Sequence, residues 1–176
     1  PSSLELNLLD RDAVRYHFKA IRPDMVIHAA GRVGGIQANI ANPVDFLMQN
    51  LDMGLNVIST AASVGVPNLL NFGSSCMYPR YAKNPLREDI ILKGELEPTN
   101  EGYALAKIVS AKLCEYISAE DANKNKNYKT IIPCNLYGRY DKYDPRHSHL
   151  IPSVICKLDE AKINGEKTVD IWGDGM

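Results

Sequence analysis

A chain of 176 residues, 45% hydrophobic and 23% charged, is long enough for one sizeable core, and this composition predicts a single compact unit. The formal charge of −1, with signs mixed, excludes bulk attraction to nucleic acid or to a membrane surface. Four dispersed cysteines, Cys76, Cys114, Cys134 and Cys156, form no CxxC pair and predict neither a disulfide framework nor a zinc site. No basic-then-apolar leader opens the chain and no apolar run is long enough to span a bilayer, so the expected setting is the reducing cytoplasm. The chain starts without Met and stops at Gly-Asp-Gly-Met directly after an apparent strand; it is read as a fragment.

In chain order, Asp10 is placed as the N-cap of a helix to about Arg22, with Val14, Phe18 and Ile21 on one face and Pro23 as the stop. Met25 to Ala30 reads as a buried parallel strand. It runs into Gly31-Arg-Val-Gly-Gly35, whose glycines allow close approach of a ligand to backbone, although a plain turn fits this GxxGG loop as well. Asn42 and Pro43 start a long helix to Gly65, facing inward with Phe46, Leu47, Leu51, Leu55, Ile58 and Ala62. Leu69 to Gly73 is the next strand, and it hands over to Ser74-Ser75-Cys76. Met77 to Pro98 reads as a long surface excursion.

A helix then begins just before Tyr103, capped by Thr99 or Asn100, with Leu105, Ile108, Val109, Leu113, Tyr116 and Ile117 as its apolar face. Tyr103 and Lys107 lie one turn apart, where an ammonium favours the phenolate and is expected to lower the tyrosine pKa from about 10. Taken alone, a surface Tyr and Lys on an ordinary helix is the simpler reading of that pair. Residues 123–128 read as a solvated loop, Thr130 to Cys134 as a third strand, and Arg139 to Ser148 as a polar segment. Leu150 to Asn164 is a helix facing inward with Ile151, Val154, Ile155, Leu158 and Ala161, and Val169 to Trp172 a last strand. Strands alternating with helices predict an α/β fold on a parallel sheet. In such sheets ligands gather beyond the carboxyl ends of the strands, which here are the segments Gly31 to Gly35, Ser74 to Cys76 and Asn135 to Gly138.

Several motifs together carry a resemblance: Val33-Gly-Gly-Ile36, Gly73-Ser-Ser-Cys-Met-Tyr-Pro79, Leu96-Glu-Pro-Thr-Asn100, Tyr103-Ala-x-Ala-Lys107, Asn135-Leu-Tyr-Gly138 and Ser148-His-Leu-Ile-Pro152. Over essentially its whole length the chain resembles extended short-chain dehydrogenases/reductases that act on nucleotide sugars, and among them the GDP-L-fucose synthase family. The resemblance implies a Rossmann-like, doubly wound sheet lacking the first βαβ unit, with its GxxGxxG turn, and most of the carboxy-terminal substrate domain. Residues 1–176 would then be a partial NAD(P)-binding domain, with the substrate-binding part starting near residue 139. Weak or no cofactor binding is expected of this piece, because the helix N-terminus that receives the pyrophosphate is missing.

The resemblance also implies roles. Tyr103 would give a proton to O4 of a 4-keto sugar, Ser74 would hold the same oxygen, and Lys107 would tune the tyrosine and hold the nicotinamide ribose. Cys76 and His149 would be base and acid for inversion at C3 and C5. Ser75 would support its loop, Cys114 and Cys156 would be packing, and His28 a strand residue. NADP(H) would touch Ala29, Ala30, Gly31, Phe72, Gly73, Ser74, Ser75, Tyr103, Lys107, Pro133, Cys134, Asn135, Leu136 and His149. The GDP-sugar would touch Val33, Gly34, Gly35, Asn135, Lys157 and Trp172. Relatives often carry Thr at the place of Cys134 and Arg at that of Lys157, and Lys lacks the planar fork of Arg. The expected enzyme is a homodimer taking GDP-4-keto-6-deoxy-D-mannose to GDP-L-fucose, with no nucleic-acid or membrane partner and no metal. A C4-reductase of GDP-6-deoxy-heptoses, a non-catalytic nucleotide-binding module, and a 4-epimerase or dehydratase with tightly held NAD are the alternatives.

Overall fold

The computed structural model describes Ser2 and residues 4–121, 125–141, 143, 148 and 150–171. They divide into two units, Pro1–Cys134 and Asn135–Met176, where composition predicted one. The first unit carries helix α1 (Arg11–Ile21), strand β1 (Met25–His28), helices α2 (Ile36–Ala41) and α3 (Pro43–Ser63), strand β2 (Asn68–Phe72), helix α4 (Glu101–Glu120) and strand β3 (Asn127–Ile131). The strands form one parallel sheet in the order β1-β2-β3, with Ile27 opposite Leu70 and Leu70 opposite Lys129. This is the parallel α/β sheet that strand-helix alternation predicts, and it agrees with the Rossmann-like fold that the resemblance implies.

Local chemistry sets the element ends. Asp10 accepts from the backbone N–H groups of Asp12 and Ala13 at 3.0 Å, and Arg22 closes α1 in the left-handed region at φ 49°. Val14 and Phe18 are buried as expected, but Ile21, in the last turn, is 59% exposed. Strand β3 starts at Asn127, three residues before the expected Thr130, and takes in part of the predicted loop. Tyr128 explains the shift. Its ring is buried, its hydroxyl donates to the Val66 carbonyl at 2.9 Å, and its N–H donates to Ser118 Oγ at 2.9 Å. Burying a ring of that size outweighs the polar character of its neighbours.

The main core joins Val14 and Phe18 of α1, Val57, Ile58 and Ala61 of α3, Cys114 of α4, and Leu69 and Tyr128 of the sheet. A second cluster, Met77, Leu96, Ala104 and Ile108, ties the irregular stretch after β2 to α4. The inner faces of α3 and α4 differ from the apolar stripes that spacing predicted. In α3 the buried residues include Phe46, Asn50, Gly54 and Ile58, while Leu47, Leu51, Leu55 and Ala62 are half-buried. In α4 they are Ala104, Ala106, Lys107, Ile108, Ser110 and Cys114, and Leu105, Val109 and Tyr116 are exposed. Small residues face inward because the two helices pack closely. A Cβ added at Gly54 would overlap Ser110 Oγ and lie 3.3 Å from Ser110 Cβ.

That contact gives a prediction of sign. Gly54→Ala alone should destabilise, since the overlap costs about 1–3 kcal/mol against the roughly 1 kcal/mol that Ala gains over Gly in a helix. In a Ser110→Ala background, with the hydroxyl removed, the same substitution should be neutral or stabilising in urea unfolding. Equal costs in both backgrounds would rule out this packing.

The second unit contains helix α5 (Leu150–Asn164). Pro152 and Ala161 are buried, but Ile151, Ile155 and Leu158, expected to face inward, are exposed. No other helix or strand among the described residues of this unit covers them. Of the last strand expected over Val169 to Trp172, residues 169–171 are not in a strand and pair with none of the described residues, and Trp172 lies outside the described residues.

Candidate active site

The site is built at the carboxyl ends of β1 and β2 and on the first two turns of α4. Beyond β1, Ala29 and Ala30 are exposed and Gly31 is half-buried. Asn50 of α3 fixes the loop at Arg32: its Oδ1 accepts from Arg32 N at 2.9 Å, and its Nδ2 donates to Arg32 O at 3.0 Å and Phe46 O at 2.7 Å. A Cβ at Gly31 would come within 3.0 Å of Asn50 Oδ1 and 3.6 Å of Lys107 Nζ, so glycine is what lets the chain pass here. Arg32 pairs with Asp45 at 3.2 Å and lies 5.3 Å over the Phe46 ring. Asn39 of α2 donates to the carbonyls of Gly34 and Gly35. Gly34 packs on Phe46, while Val33 and Gly35 are exposed.

Beyond β2, Gly73 N donates to Ile131 O at 2.8 Å, and Gly73 has no room for a side chain beside Met77. Ser74 then opens a 3₁₀ turn over Ser75–Met77, its Oγ accepting from Cys76 N at 3.4 Å. On α4, Lys107 is buried at 6% exposure; its Nζ donates to Phe72 O at 2.9 Å and lies 5.7 Å from the centre of the Tyr103 ring. Burial holds this amine below its ordinary pKa.

Tyr103 reverses the expected shift. Its phenol stands above its ordinary value, first because burial disfavours the phenolate and then because of the adjacent Cys76, against a smaller lowering from a hydrogen bond with Ser74. Asn100 occupies the N-cap position of α4 but makes no capping hydrogen bond, again contrary to expectation. Its Nδ2 donates to Cys76 Sγ at 3.3 Å. Ser74, Cys76, Tyr103 and Lys107 are thus brought together, and Asn50 and Asn100 are polar supports that sequence spacing does not reveal. For Asn50 the available signal is a polar side chain one turn after Phe46 and one turn before Gly54, in a stripe that has to be buried.

Pro133 is half-buried and Cys134 exposed at the end of the first unit. In the second unit Asn135 and Leu136 are exposed, and Lys157 donates to Asp170 O at 2.8 Å. His149 and Trp172 lie outside the described residues. Cys114 is buried and its thiol pushed up to about 11 by that burial, as inert packing requires. Among the described residues no group of His, Cys, Asp and Glu is arranged to hold a metal ion.

His28, read from sequence as a plain strand residue, ends β1 at 5% exposure, its imidazole pushed down to about 4, first by burial and then by the charge of Lys107. The unfolded chain binds this proton near 6.5 and the folded chain only near 4. Stability is therefore fully present above 6.5 and is lost as pH falls toward 4, by roughly 3 kcal/mol in all and about 2 between pH 7 and 5. Urea midpoints across that window should fall for the native chain and fall less for His28→Gln. Parallel curves would contradict it.

Residues 2–176 match the model of the NAD dependent epimerase/dehydratase family. The chain belongs to that family. It is 57% identical over 175 residues to a GDP-L-colitose synthase of Yersinia pseudotuberculosis, covering 99% of this chain and 56% of that protein. It is 51% identical over 175 residues to a GDP-L-fucose synthase of Azorhizobium caulinodans, covering 99% and 55%. Among solved structures, a GDP-mannoheptose C4 reductase from Campylobacter jejuni with NADP bound superposes with a TM-score of 0.84 at 34% identity, over 93% of this chain and 47% of that one. The chain spans about half the length of the curated relatives it matches.

Proposed function

We propose that the chain forms the cofactor-side half of an NADPH-dependent GDP-sugar epimerase-reductase that takes GDP-4-keto-6-deoxy-D-mannose to GDP-L-fucose. The observation that carries this reading is the meeting of Ser74, Cys76, Tyr103 and Lys107 at one point beyond the ends of β1 and β2. The open backbone at Ala29 to Gly31, close to a buried lysine amine, fits the nicotinamide-ribose end of NADP(H). Lys107, Phe72, Gly73, Ser75 and the segment 133–136 complete the proposed cofactor contacts. NADPH bound there supplies the hydride for C4.

The chain's own residues handle protons and orientation. A 4-keto sugar has acidic C–H bonds at C3 and C5, and the Cys76 sulfur takes such a proton while the electron pair moves to the carbonyl oxygen. Ser74 and Tyr103 hydrogen-bond that oxygen as charge develops on it. In the proposed pairing His149 is the acid: it gives the carbon a proton of its own while Cys76 keeps the one it removed, and the carbon is inverted when the new proton arrives on the face opposite the one lost. A phenol kept above its ordinary pKa holds its proton at neutral pH and delivers it to O4 on reduction. Val33, Gly34, Gly35 and Asn135 are the proposed contacts of the GDP-sugar in the first part of the chain, and Lys157 and Trp172 those from the substrate-binding part proposed to start near residue 139. Exposed Val44 and Met48 on α3 and Leu105, Val109 and Tyr116 on α4 support pairing as a homodimer. No helix among the described residues is long and apolar enough to cross a membrane, and the proposed setting is the cytoplasm.

The similarity to a colitose synthase supports a second reading, in which the sugar lacks its 3-hydroxyl. The test is turnover of GDP-4-keto-6-deoxymannose and of its 3-deoxy counterpart with NADPH in deuterated water. Deuterium at C3 and C5 of a fucose product supports the first reading, and preference for the 3-deoxy sugar the second. Reduction with no deuterium at either carbon would leave only a C4 reductase.

A further inference from the structure

We propose that Asn100 is a positioning residue for Cys76, its side-chain amide fixing the sulfur beside Tyr103 and serving it in both of its protonation states. The assignment rests on the proposed role of Cys76 as a proton acceptor. Three observations carry it. Asparagine at an N-cap normally turns its oxygen onto the N–H groups of the first turn, and Asn100 forgoes this although it holds the N-cap position of a 20-residue helix. Its Nδ2 points instead across 24 residues of sequence to Cys76 Sγ, at 3.3 Å. Its Oδ1 is buried and has no hydrogen-bond partner among the described residues. A helix cap that leaves its own carbonyl unpaired inside the protein is poor design for stability alone.

The pattern makes sense for a group that must lose and regain a proton. The N–H of the amide donates to sulfur when the sulfur carries no proton. Turned over, the same amide offers its unpaired carbonyl to the S–H once the proton has arrived. Asn100 and Tyr103 are three residues apart on the first turn of α4, so the residue that steers the base and the residue that donates to O4 ride on one rigid element.

The experiment is alkylation of Cys76 by iodoacetamide at pH 7.5, read by mass spectrometry of the Cys76 peptide, with exposed Cys134 in the same digest as reference. Asn100→Ala should slow Cys76 relative to Cys134 by about threefold to tenfold. Asn100→Asp, of the same size and an equally good cap, replaces the donor with a negative oxygen and should slow it further. Asn100→Asp controls for any opening of the site by the smaller Ala. In the enzyme supplied with GDP-4-keto-6-deoxymannose in deuterated water, Asn100→Ala should slow deuterium incorporation next to the keto group more than it raises KM. Unchanged relative alkylation in both variants overturns the assignment. Slowed alkylation in the Asn100 variants, together with a native enzyme inert toward the GDP-sugar, supports Asn100 and overturns the proposed substrate.

Discussion

In the complete protein, and under the proposed function, Tyr103→Phe is expected to lower the rate of NADPH-dependent reduction of GDP-4-keto-6-deoxymannose by roughly 10²–10⁴-fold, the usual contribution of a positioned acid. The ring itself is retained, so its packing and its contact with the Lys107 amine at 5.7 Å survive, and the loss reports the hydroxyl alone. Burial and Cys76 hold the phenol above its ordinary pKa, whereas Ser74 pulls it the other way. The native enzyme should therefore keep its acid protonated throughout the neutral range, with any alkaline limb due to this group displaced upward from the ordinary tyrosine range. Deuterium incorporation from solvent should outlast the loss of reduction in Tyr103→Phe, because the proposed base, Cys76, is untouched. A variant reducing substrate within tenfold of the native rate would remove Tyr103 from the proton-donor role, and a binding module without catalysis would show no rate to lose.

What the sequence made legible, and what it did not, divides along a physical line. Strand-helix alternation gave the parallel sheet, and punctuation by Asp10, Pro23, Pro43 and Pro98 gave helix starts and stops, because a cap such as Asp10 and proline act locally, whereas Asn42 holds the N-cap position of α3 without a capping hydrogen bond. The Tyr103, Lys107, Ser74 and Cys76 set is what the family resemblance implied, spacing alone leaving Tyr103 and Lys107 an ordinary surface pair, and the fold does bring those four together. Properties that depend on tertiary approach are not visible. The inner stripe of α4 runs through Ala104, Lys107 and Ser110 because Gly54 lets α3 come close, and no periodicity of large apolar residues encodes that. The sign of the Tyr103 shift differs from expectation for a related reason: spacing reveals the neighbouring charge, but burial, which dominates here, belongs to the folded chain. Asn100 is legible as a cap and faces a cysteine 24 positions away.

Lys107→Met is the second substitution with a large expected effect, and its value is that activity, stability and titration should respond differently. The amine donates to the Phe72 carbonyl at 2.9 Å and lies 3.6 Å from where a Cβ on Gly31 would sit, and methionine fills its volume without a charge or a donor. Loss of a preorganised donor of this kind costs about 10²-fold or more in turnover. Stability should move by less than about 1 kcal/mol: removing a desolvated amine is favourable, and leaving the Phe72 oxygen without its partner is unfavourable by a similar amount. His28 supplies a readout that needs no substrate. Lys107 is the second cause of its depressed pKa, so Lys107→Met should raise the imidazole from about 4, yet leave it below 6.5 because burial is the larger cause. Titration of the His28 ring protons by NMR measures this directly. A turnover loss with an unmoved His28 would mean that the charge of Lys107 lies elsewhere than beneath the end of β1. A shifted His28 with native turnover would mean that the lysine is structural.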